Sequence, residues 1–166
     1  MFDIRNATVK DIPLIRELTY RVWPQTYSNI LSPEQIDYML EMMYSAESLE
    51  KQIAEGCRFI IVYENGNPAG FASYQEIEPG VWKLHKIYVL PNQQGKGTGK
   101  FVINHIISAI KRQNANALQL QVNLHNKAKD FYEKLGFTVI KIINLDIGNG
   151  YFMNDYVMEK QLADDR

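Results

Sequence analysis

Helical periodicity dominates the chain up to residue 56. A first helix is predicted from the cap at Thr8 to about residue 22, and its inner face consists of apolar residues at helical spacing: Ile12, Ile15, Leu18 and Val22. The run Ser32-Pro33-Glu34-Gln35 is typical of a capping box with proline at the first helical position, so a second helix is predicted to begin there. A third helix is expected over residues 46–55, ended by Gly56.

The pattern then changes to short apolar runs separated by turn residues. With a short first strand at residues 2–6, the predicted strands are 59–63, 69–77, 81–90, 117–122, 137–147 and 151–159. The predicted turns are Asn65-Gly66-Asn67-Pro68, Glu78-Pro79-Gly80 and Gly148-Asn149-Gly150. Two more helices are predicted, a long one up to Lys111 and a short one near residues 126–135.

This order of elements predicts a mixed sheet. Three strands in succession favour antiparallel pairing, and the strand–helix–strand passage from 81 to 122 implies one right-handed parallel crossover. We therefore expect an α+β (mixed α/β) fold, with a mostly antiparallel sheet of six to seven strands and helices on both faces. A length of 166 residues favours a single domain, 1–166.

Composition narrows the class of protein. Hydrophobic residues make up 46% and charged residues 22% of the chain, which is ordinary for a globular protein, and a net charge of −1 gives no reason to expect nucleic acid or an anionic membrane as partner. The single cysteine, Cys57, cannot form an internal disulfide. The polar residues near the start do not resemble a secretory signal, and the apolar stretch 101–110 is too short to span a bilayer. We expect a cytoplasmic protein.

A glycine-rich run, Gln94-Gly95-Lys96-Gly97-Thr98-Gly99-Lys100, lies between a predicted strand and the long helix. Glycines on alternate positions let a backbone approach a ligand closely with its N–H groups directed inward. The helix that follows presents unpaired amides and the positive end of its dipole. A strand–loop–helix corner of this kind predicts a site for a diphosphate.

The spacing excludes two common phosphate loops. A Walker A loop requires Ser or Thr after Gly-Lys, where this chain has Phe101, and the dinucleotide fingerprint requires glycine at position 100, which is lysine. The remaining pattern, Gln-x-x-Gly-x-Gly, is carried by Gln94, Gly97 and Gly99. It resembles the pyrophosphate loop of the GNAT superfamily of acyl-CoA-dependent N-acetyltransferases. An ordinary glycine-rich turn before a helix is the alternative.

A second motif supports this resemblance. The run Asn126-Lys127-Ala128-Lys129-Asp130-Phe131-Tyr132-Glu133-Lys134-Leu135-Gly136-Phe137 is similar to the second signature of the family. It predicts a short helix with Asn126 as N-cap, an apolar stripe of Ala128, Phe131 and Leu135, and an end at Gly136. Tyr132 would project from the same side as Ala128. A core tyrosine with a satisfied hydroxyl is the alternative.

The resemblance implies where acetyl-CoA would bind. The strands that end at Leu90 and Asn123 are expected to splay apart around the thioester, with β-strand amides near Ile87 and Val89 on the pantetheine and loop amides on the diphosphate. The residues expected to hold acetyl-CoA are Ile87, Tyr88, Val89, Gln94, Gly95, Lys96, Gly97, Thr98, Gly99, Lys100, Asn123, Asn126, Lys129 and Tyr132. Lys96 and Lys100 have solvated surface lysines as their alternative.

The implied reaction is direct attack of a neutral amine on the acetyl carbonyl, with Tyr132 protonating the departing thiolate. Where some family members carry a glutamate on the strand before the loop, this chain has Lys83. His85, on the same strand face, is the candidate base, and Glu76 or Glu78 acting through water is the alternative. The histidines show no metal-ligand spacing, so no metal is expected.

The acceptor is expected to be a small-molecule or peptide amine. Trp23 and Tyr27 are candidate substrate-binding residues, because aromatic rings hold cations. The arm from residue 23 to 49 is similar to that of bacterial spermine/spermidine acetyltransferases, so a polyamine is one candidate; a peptide N-terminus, an amino sugar and an antibiotic remain open. Alternative functions are a catalytically weak acyl-CoA-binding regulatory module and a nucleotide-phosphate binder. A homodimer is an expectation at the level of the family.

Overall fold

A computed structural model describes residues 1–93 and 95–162 of the chain. In chain order the elements are β1 (Phe2–Asn6), α1 (Ile12–Tyr27), α2 (Pro33–Tyr44), α3 (Ala46–Ala54), β2 (Arg58–Glu64), β3 (Asn67–Glu78), β4 (Val81–Val89), α4 (Thr98–Lys111), β5 (Ala117–Asn123), α5 (Ala128–Lys134), β6 (Thr138–Gly148) and β7 (Tyr151–Gln161). Short 3-10 turns at Val9–Asp11 and Pro91–Gln93 precede α1 and the glycine-rich run.

The strands form one seven-stranded sheet in the order β1-β2-β3-β4-β5-β7-β6. The ladders β1–β2, β2–β3, β5–β7 and β6–β7 are antiparallel, whereas β4 and β5 are parallel. The parallel ladder runs from Val81↔Ala117 to Leu84↔Leu120, although β4 continues to Val89 and β5 to Asn123. The predicted mixed, mostly antiparallel fold is confirmed.

The chain forms two compact units. Unit 1 comprises Met1–Gln75 and Lys86–His105, and unit 2 comprises Glu76–His85 and the chain from Ile106 onward. Unit 1 therefore holds helices α1 to α3, strands β1 and β2, most of β3, the second half of β4 and the glycine-rich run. Unit 2 holds the ladder between β5, β7 and β6 together with α5.

Helix α1 begins at Ile12, after the 3-10 turn that Thr8 caps, and it ends later than predicted. The Thr8 side chain and Asp11 form a capping box, and the apolar face of the helix is buried. The helix then continues past the predicted end at residue 22, through Pro24, to Tyr27. Trp23 is only 2% exposed, and the burial of this large ring favours continuation of the helix over the cost of one lost backbone hydrogen bond at Pro24.

The short helix α5 also differs from its prediction. It begins at Ala128 with Lys127 at the N-cap, while the Asn126 Oδ1 atom accepts a hydrogen bond from the Ala128 N–H at 2.9 Å. Phe131, placed by its spacing in the apolar stripe, is 37% exposed, whereas Tyr132 is 8% exposed. In a helix this short one buried position suffices, and tertiary packing selects Tyr132. Gly136, at φ 97°, ends the helix as predicted.

Several boundaries shift by a few residues. Asn67 and Pro68, predicted as part of a turn, belong to β3, because Asn65 and Gly66 at positive φ complete the hairpin alone. Helix α4 begins at Thr98, so the last residues of the glycine-rich run lie in its first turn. Of the helices in residues 1–93 and 95–162, none is long and apolar enough to cross a membrane.

Candidate active site

The glycine-rich run forms an open corner at the N-terminus of α4. Gly95 and Gly97 both have φ of 84°, and a Cβ atom at either would meet nothing within 4 Å. The Phe101 N–H donates to the Gly97 carbonyl at 3.0 Å, which closes the first helical turn. By helix geometry the N–H groups of residues 98–100 have no acceptor within the helix and are available to an anion. Gln94 lies outside the described residues.

A chain of hydrogen bonds between Glu64, Gln93 and Thr98 stabilises this loop. The Gln93 Nε2 atom donates to the Glu64 carboxylate at 3.0 Å, and the Thr98 hydroxyl donates to the Gln93 Oε1 atom at 3.5 Å. Gln93 and Thr98 are both buried. These bonds fix Gln93 and Thr98 on either side of Gly95 and Gly97, while the two glycines themselves are exposed. Thr98 therefore contributes its backbone to the corner, and its side chain is structural.

Glu64 ties the end of β2 to the loop. The Lys96 ammonium lies 3.5 Å from its carboxylate, and half of the lysine side chain is exposed. The hydrogen bond from Gln93, and then the charge of Lys96, hold the pKa of Glu64 below its usual value. Lys96 thus has an acidic neighbour, whereas Lys100 is exposed on the first turn of α4. No local pattern in the sequence marks Glu64, because its partners are distant along the chain.

Strand β4 approaches β3 closely just before the loop. A Cβ atom on Gly70 would lie 2.3 Å from the Tyr88 carbonyl oxygen and 3.0 Å from the Val89 Cα atom. The Leu90 N–H donates to the Ala69 carbonyl at 2.8 Å, and this hydrogen bond holds the two backbones together next to Gly70. Only glycine fits at position 70 with this backbone path. Gly70 therefore shapes the segment Ile87, Tyr88 and Val89, although the sequence pattern did not single it out.

An aromatic cluster in unit 1 contains both predicted substrate residues. We define the cluster as Trp23, Tyr27, Tyr44, Phe71 and Tyr88. Ring centroids lie 4.5 Å apart for Trp23 and Tyr27 and 6.0 Å apart for Trp23 and Tyr88. Trp23 is almost wholly buried and forms a wall, whereas Tyr27 and Tyr88 are half-buried, and their hydroxyl oxygens lie 3.1 Å apart.

Tyr44 forms the deep end of this cluster. Burial, and secondarily the neighbouring Tyr27, raise the pKa of Tyr44 far above its usual value, and a hydrogen bond with Tyr88 only partly opposes this. The phenol is therefore neutral at any physiological pH. The Lys86 Nζ atom lies 5.1 Å from the centroid of the Tyr44 ring, which is a cation–π contact.

Tyr132 is held by two aromatic neighbours in unit 2. Its ring centroid lies 5.3 Å from that of Phe131 and 5.9 Å from that of Phe137, both in edge-on geometry. Lys129 lies on the same helix with its Nζ atom 3.3 Å from the Glu133 carboxylate and 5.2 Å from the Tyr156 ring centroid. The Lys129 ammonium therefore already contacts a carboxylate and an aromatic ring within unit 2.

The two predicted asparagines have local partners. The Asn123 Oδ1 atom accepts from the His125 N–H at 2.9 Å, and Asn126 makes the similar bond to Ala128 described above. These bonds order the turn between β5 and α5. Their side-chain oxygens thus stabilise the turn, whatever role the amide nitrogens have.

The candidate bases occupy different settings. His85 is half-buried on β4 and shares a strand face with Lys83. The Glu76 carboxylate accepts a hydrogen bond from the Gly80 N–H at 3.1 Å, and Glu76 and Glu78 line an open cleft with Asn114 and Asn116. Glu76 is therefore engaged in the β3–β4 turn. Within the described part of the chain, no three His, Cys, Asp or Glu side chains are grouped to hold a metal ion.

Family comparison agrees with this geometry. The model of the acetyltransferase (GNAT) domain matches residues 28–159, so the chain belongs to the GNAT family of acetyltransferases. The solved structure of the PaiA N-acetyltransferase from Thermoplasma acidophilum in complex with coenzyme A superposes with a TM-score of 0.82 at 24% identity, over 97% of this chain and 99% of that one. This likeness shows the fold, and the family predicted from the two motifs is confirmed.

Two relatives with assigned activities match over different lengths. The spermidine N(1)-acetyltransferase of T. acidophilum is 25% identical over 96% of both chains. The [ribosomal protein bS18]-alanine N-acetyltransferase of Haemophilus influenzae is 35% identical over 48% of this chain and 53% of its own length. An uncharacterized N-acetyltransferase of Methanocaldococcus jannaschii is likewise matched over only 41% of its length.

Proposed function

We propose that this protein transfers an acetyl group from acetyl-CoA to a primary amine. The observation that carries the proposal is the open glycine corner at the N-terminus of α4 in a chain of the acetyltransferase family. A helix N-terminus preceded by glycines at positive φ is a favourable place for a diphosphate. The CoA complex of the structural neighbour supports the same co-substrate.

The acyl end of the co-substrate is assigned to the strands. The β4–β5 ladder ends at Leu84↔Leu120, and both strands continue beyond it. Backbone N–H groups of Ile87, Tyr88 and Val89 are proposed to pair with the pantetheine amides and the thioester carbonyl. A fixed N–H donor on an oxygen that gains negative charge typically lowers the barrier by about 3 kcal/mol.

The proposed chemistry is a direct transfer. The neutral amine nitrogen attacks the acetyl carbon, the carbon–sulfur bond breaks with its electron pair going to sulfur, and the Tyr132 phenol gives its proton to the thiolate. The phenolate regains a proton from solvent, and the amine nitrogen loses one. The edge-on packing of Tyr132 against Phe131 and Phe137 fixes the ring, which supports a positioned donor.

The proposed acceptor is a cationic amine. Tyr27 and Tyr88 present half-buried rings and hydroxyls in the aromatic cluster, and such surfaces hold ammonium groups by cation–π contact. A polyamine is the preferred candidate, because a relative matched along almost its whole length is a spermidine N(1)-acetyltransferase. The bS18-alanine relative, matched over half its length, favours a peptide N-terminus as the second candidate.

Release of free CoA thiol tests this function. Purified protein with acetyl-CoA should release thiol only when an amine is added, and spermidine should be a better acceptor than an alanine-terminated peptide. Tyr132→Phe should lower kcat by about 100-fold, because a positioned general acid typically contributes 10²–10⁴-fold. Tyr156→Phe also removes one phenol hydroxyl from unit 2, and it should leave kcat within about twofold of wild type.

Two results would favour the alternatives. CoA binding without amine-dependent thiol release would favour a regulatory acyl-CoA-binding module. ATP binding without CoA binding would favour a nucleotide-phosphate binder. Undiminished thiol release by Tyr132→Phe would remove the tyrosine from the mechanism while leaving the transferase function in place.

A homodimer also belongs to the proposal. Strand β6 ends the sheet order, so one of its edges has no strand neighbour among the described residues. Its large exposed apolar side chains are Val139, Ile140, Ile142 and Leu145. Light scattering after size-exclusion chromatography should give twice the chain mass, and Ile142→Lys should give the monomer. A monomeric wild-type protein at assay concentration would contradict the dimer.

A further inference from the structure

Asp155 is a buried acidic residue of β7. It lies on β7 with 3% of its surface exposed, and within residues 1–93 and 95–162 no side chain or N–H group makes a hydrogen bond or ion pair with it. Burial raises the pKa of Asp155, and the charge of Lys83 only partly opposes the shift. An unpaired buried carboxylate lowers the free energy of unfolding. Its presence therefore favours a functional role over a structural one.

The β7 register places Asp155 beside the end of β5. Asp155 pairs with Asn123, which lies beyond the last rung of the β4–β5 ladder at Leu84↔Leu120. Side chains of directly paired residues point to the same face of a sheet, so Asp155 and Asn123 share a face. Asp155 is therefore adjacent to the stretch of β5 that has left its β4 partner.

That face is opposite to the one covered by α5. The Lys129 ammonium of α5 lies over the ring of Tyr156, and the Lys160 ammonium donates to the Leu135 carbonyl at 2.7 Å. Residues 156 and 160 alternate with 155 along β7, so α5 packs on one face and Asp155 projects from the other. A proton donor on α5 and a proton acceptor at Asp155 would therefore lie on opposite faces of the same strands.

We propose that Asp155 binds the ammonium group of the acceptor amine and takes its proton. The inference rests on the proposed function. One N–H bond of the ammonium breaks, its proton goes to a carboxylate oxygen, and the nitrogen keeps the electron pair with which it attacks the acetyl carbon. The carboxylic acid then returns the proton to water. Glu76 is held in the β3–β4 turn by the Gly80 N–H, which makes it less suited to this step than Asp155.

Other charges share this sheet face. By register and alternation, the titratable or charged side chains of β4 to β7 within unit 2 that face the same way as Asp155 are Lys83, His85, Lys141, Tyr151 and Glu159. Of these, the positive charge of Lys83 opposes the rise in the pKa of Asp155. The neighbouring β5 side chains on this face, including Asn123, are uncharged. A single carboxylate near the end of β5 is thus positioned for a cation.

Asp155→Asn tests the inference, and Glu159→Gln is its control. Glu159 is on the same strand face and is bonded to Gln119, so its substitution removes the same charge without touching Asp155. At pH 7 Asp155→Asn should lower kcat/KM for the amine by at least about 100-fold with KM for acetyl-CoA unchanged. The loss should shrink as the pH approaches the pKa of the amine. Glu159→Gln should stay within about threefold of wild type.

Stability separates this role from a structural one. Because the pKa of Asp155 is raised in the folded state, the charged form opposes folding above the unfolded pKa, and its neutral isostere should not lower the urea midpoint at pH 7. A lower midpoint or an unfolded variant would overturn the proposal, as would unchanged kcat/KM or an equal loss at every pH. If wild type releases no thiol with any amine, the proposed function fails together with this inference; an active wild type with an unaffected Asp155→Asn overturns this inference alone.

Discussion

The hydroxyl oxygens of Tyr27 and Tyr88 lie 3.1 Å apart and join the last residue of α1 to the strand that precedes the glycine loop. These residues are 61 positions apart in sequence, and either hydroxyl can donate the hydrogen bond. Tyr88 also bonds to the buried Tyr44. A single phenol on β4 therefore links the aromatic cluster to the segment assigned to pantetheine.

Tyr88→Phe should destabilise unit 1 measurably. The variant keeps the ring but leaves the Tyr44 and Tyr27 hydroxyls short of a partner, which should cost about 1–2 kcal/mol of unfolding free energy. Urea titration followed by tryptophan fluorescence measures this free energy, since Trp23 belongs to the cluster and lies next to Tyr88. Tyr20→Phe, at an exposed tyrosine of α1, should cost less than about 0.5 kcal/mol. Equal costs at the two positions would contradict the linking role of Tyr88.

Gly97→Ala should weaken acetyl-CoA binding. A methyl group at φ 84° costs about 1 kcal/mol in backbone strain and enters the open space assigned to the diphosphate, so KM for acetyl-CoA should rise by about tenfold or more. Gly150→Ala is the matched control, because Gly150 has φ of 79° and equally open surroundings at the tip of the β6–β7 hairpin. Gly150→Ala should therefore have the same backbone strain but leave KM for acetyl-CoA unchanged. Equal KM values for both variants would remove the loop from the co-substrate site.

Gly70→Ala should affect both binding and stability. The new methyl group would overlap the Tyr88 carbonyl oxygen at 2.3 Å, so β4 must move away from β3. The shift displaces the Ile87–Val89 amides, and KM for acetyl-CoA should rise while the unfolding free energy falls by about 1–3 kcal/mol. Steady-state kinetics with denaturant titration measure the two effects. An unchanged KM together with an unchanged midpoint would show that β4 tolerates the side chain.

Glu64→Gln should make stability less dependent on pH in the acid range. The pKa of Glu64 is lowered from its ordinary value of 4.5 in the folded protein, chiefly by the Gln93 hydrogen bond. A lowered pKa stabilises the fold above the unfolded pKa, and the contribution disappears as the pH falls through the folded value. The stability difference between wild type and variant should therefore be largest near neutral pH and vanish in strong acid. Urea midpoints across that range test it, and a difference that grows toward acid would contradict it.

Motifs confined to a few adjacent residues were predictable. The glycine-rich run before α4, the capping box at Thr8 and the stop at Gly136 depend on backbone conformations that the local residues select themselves. The order of strands and helices followed from periodicity in the same way, and with the two motifs it was sufficient to predict the family.

Contacts between distant residues were not predictable. Glu64 supports the loop through Gln93, and Gly70 admits the β4 backbone, yet neither has a local pattern that marks it. The end of α1 was predicted near residue 22, and only the burial of Trp23 shows why the helix continues through Pro24 to Tyr27. The apolar stripe of α5 was wrong at Phe131 for the same reason.

The sequence by itself determined the element order, the glycine corner before α4 and the family, because each depends on residues within a turn or two of one another. Only the tertiary structure decided which polar groups are buried and what they meet. Asp155 reads as one more polar residue in an alternating strand, and its burial beside the end of β5 is visible only in the structure. Burial and pairing are properties of contacts between segments far apart in the chain, and these are set by how the whole sheet closes.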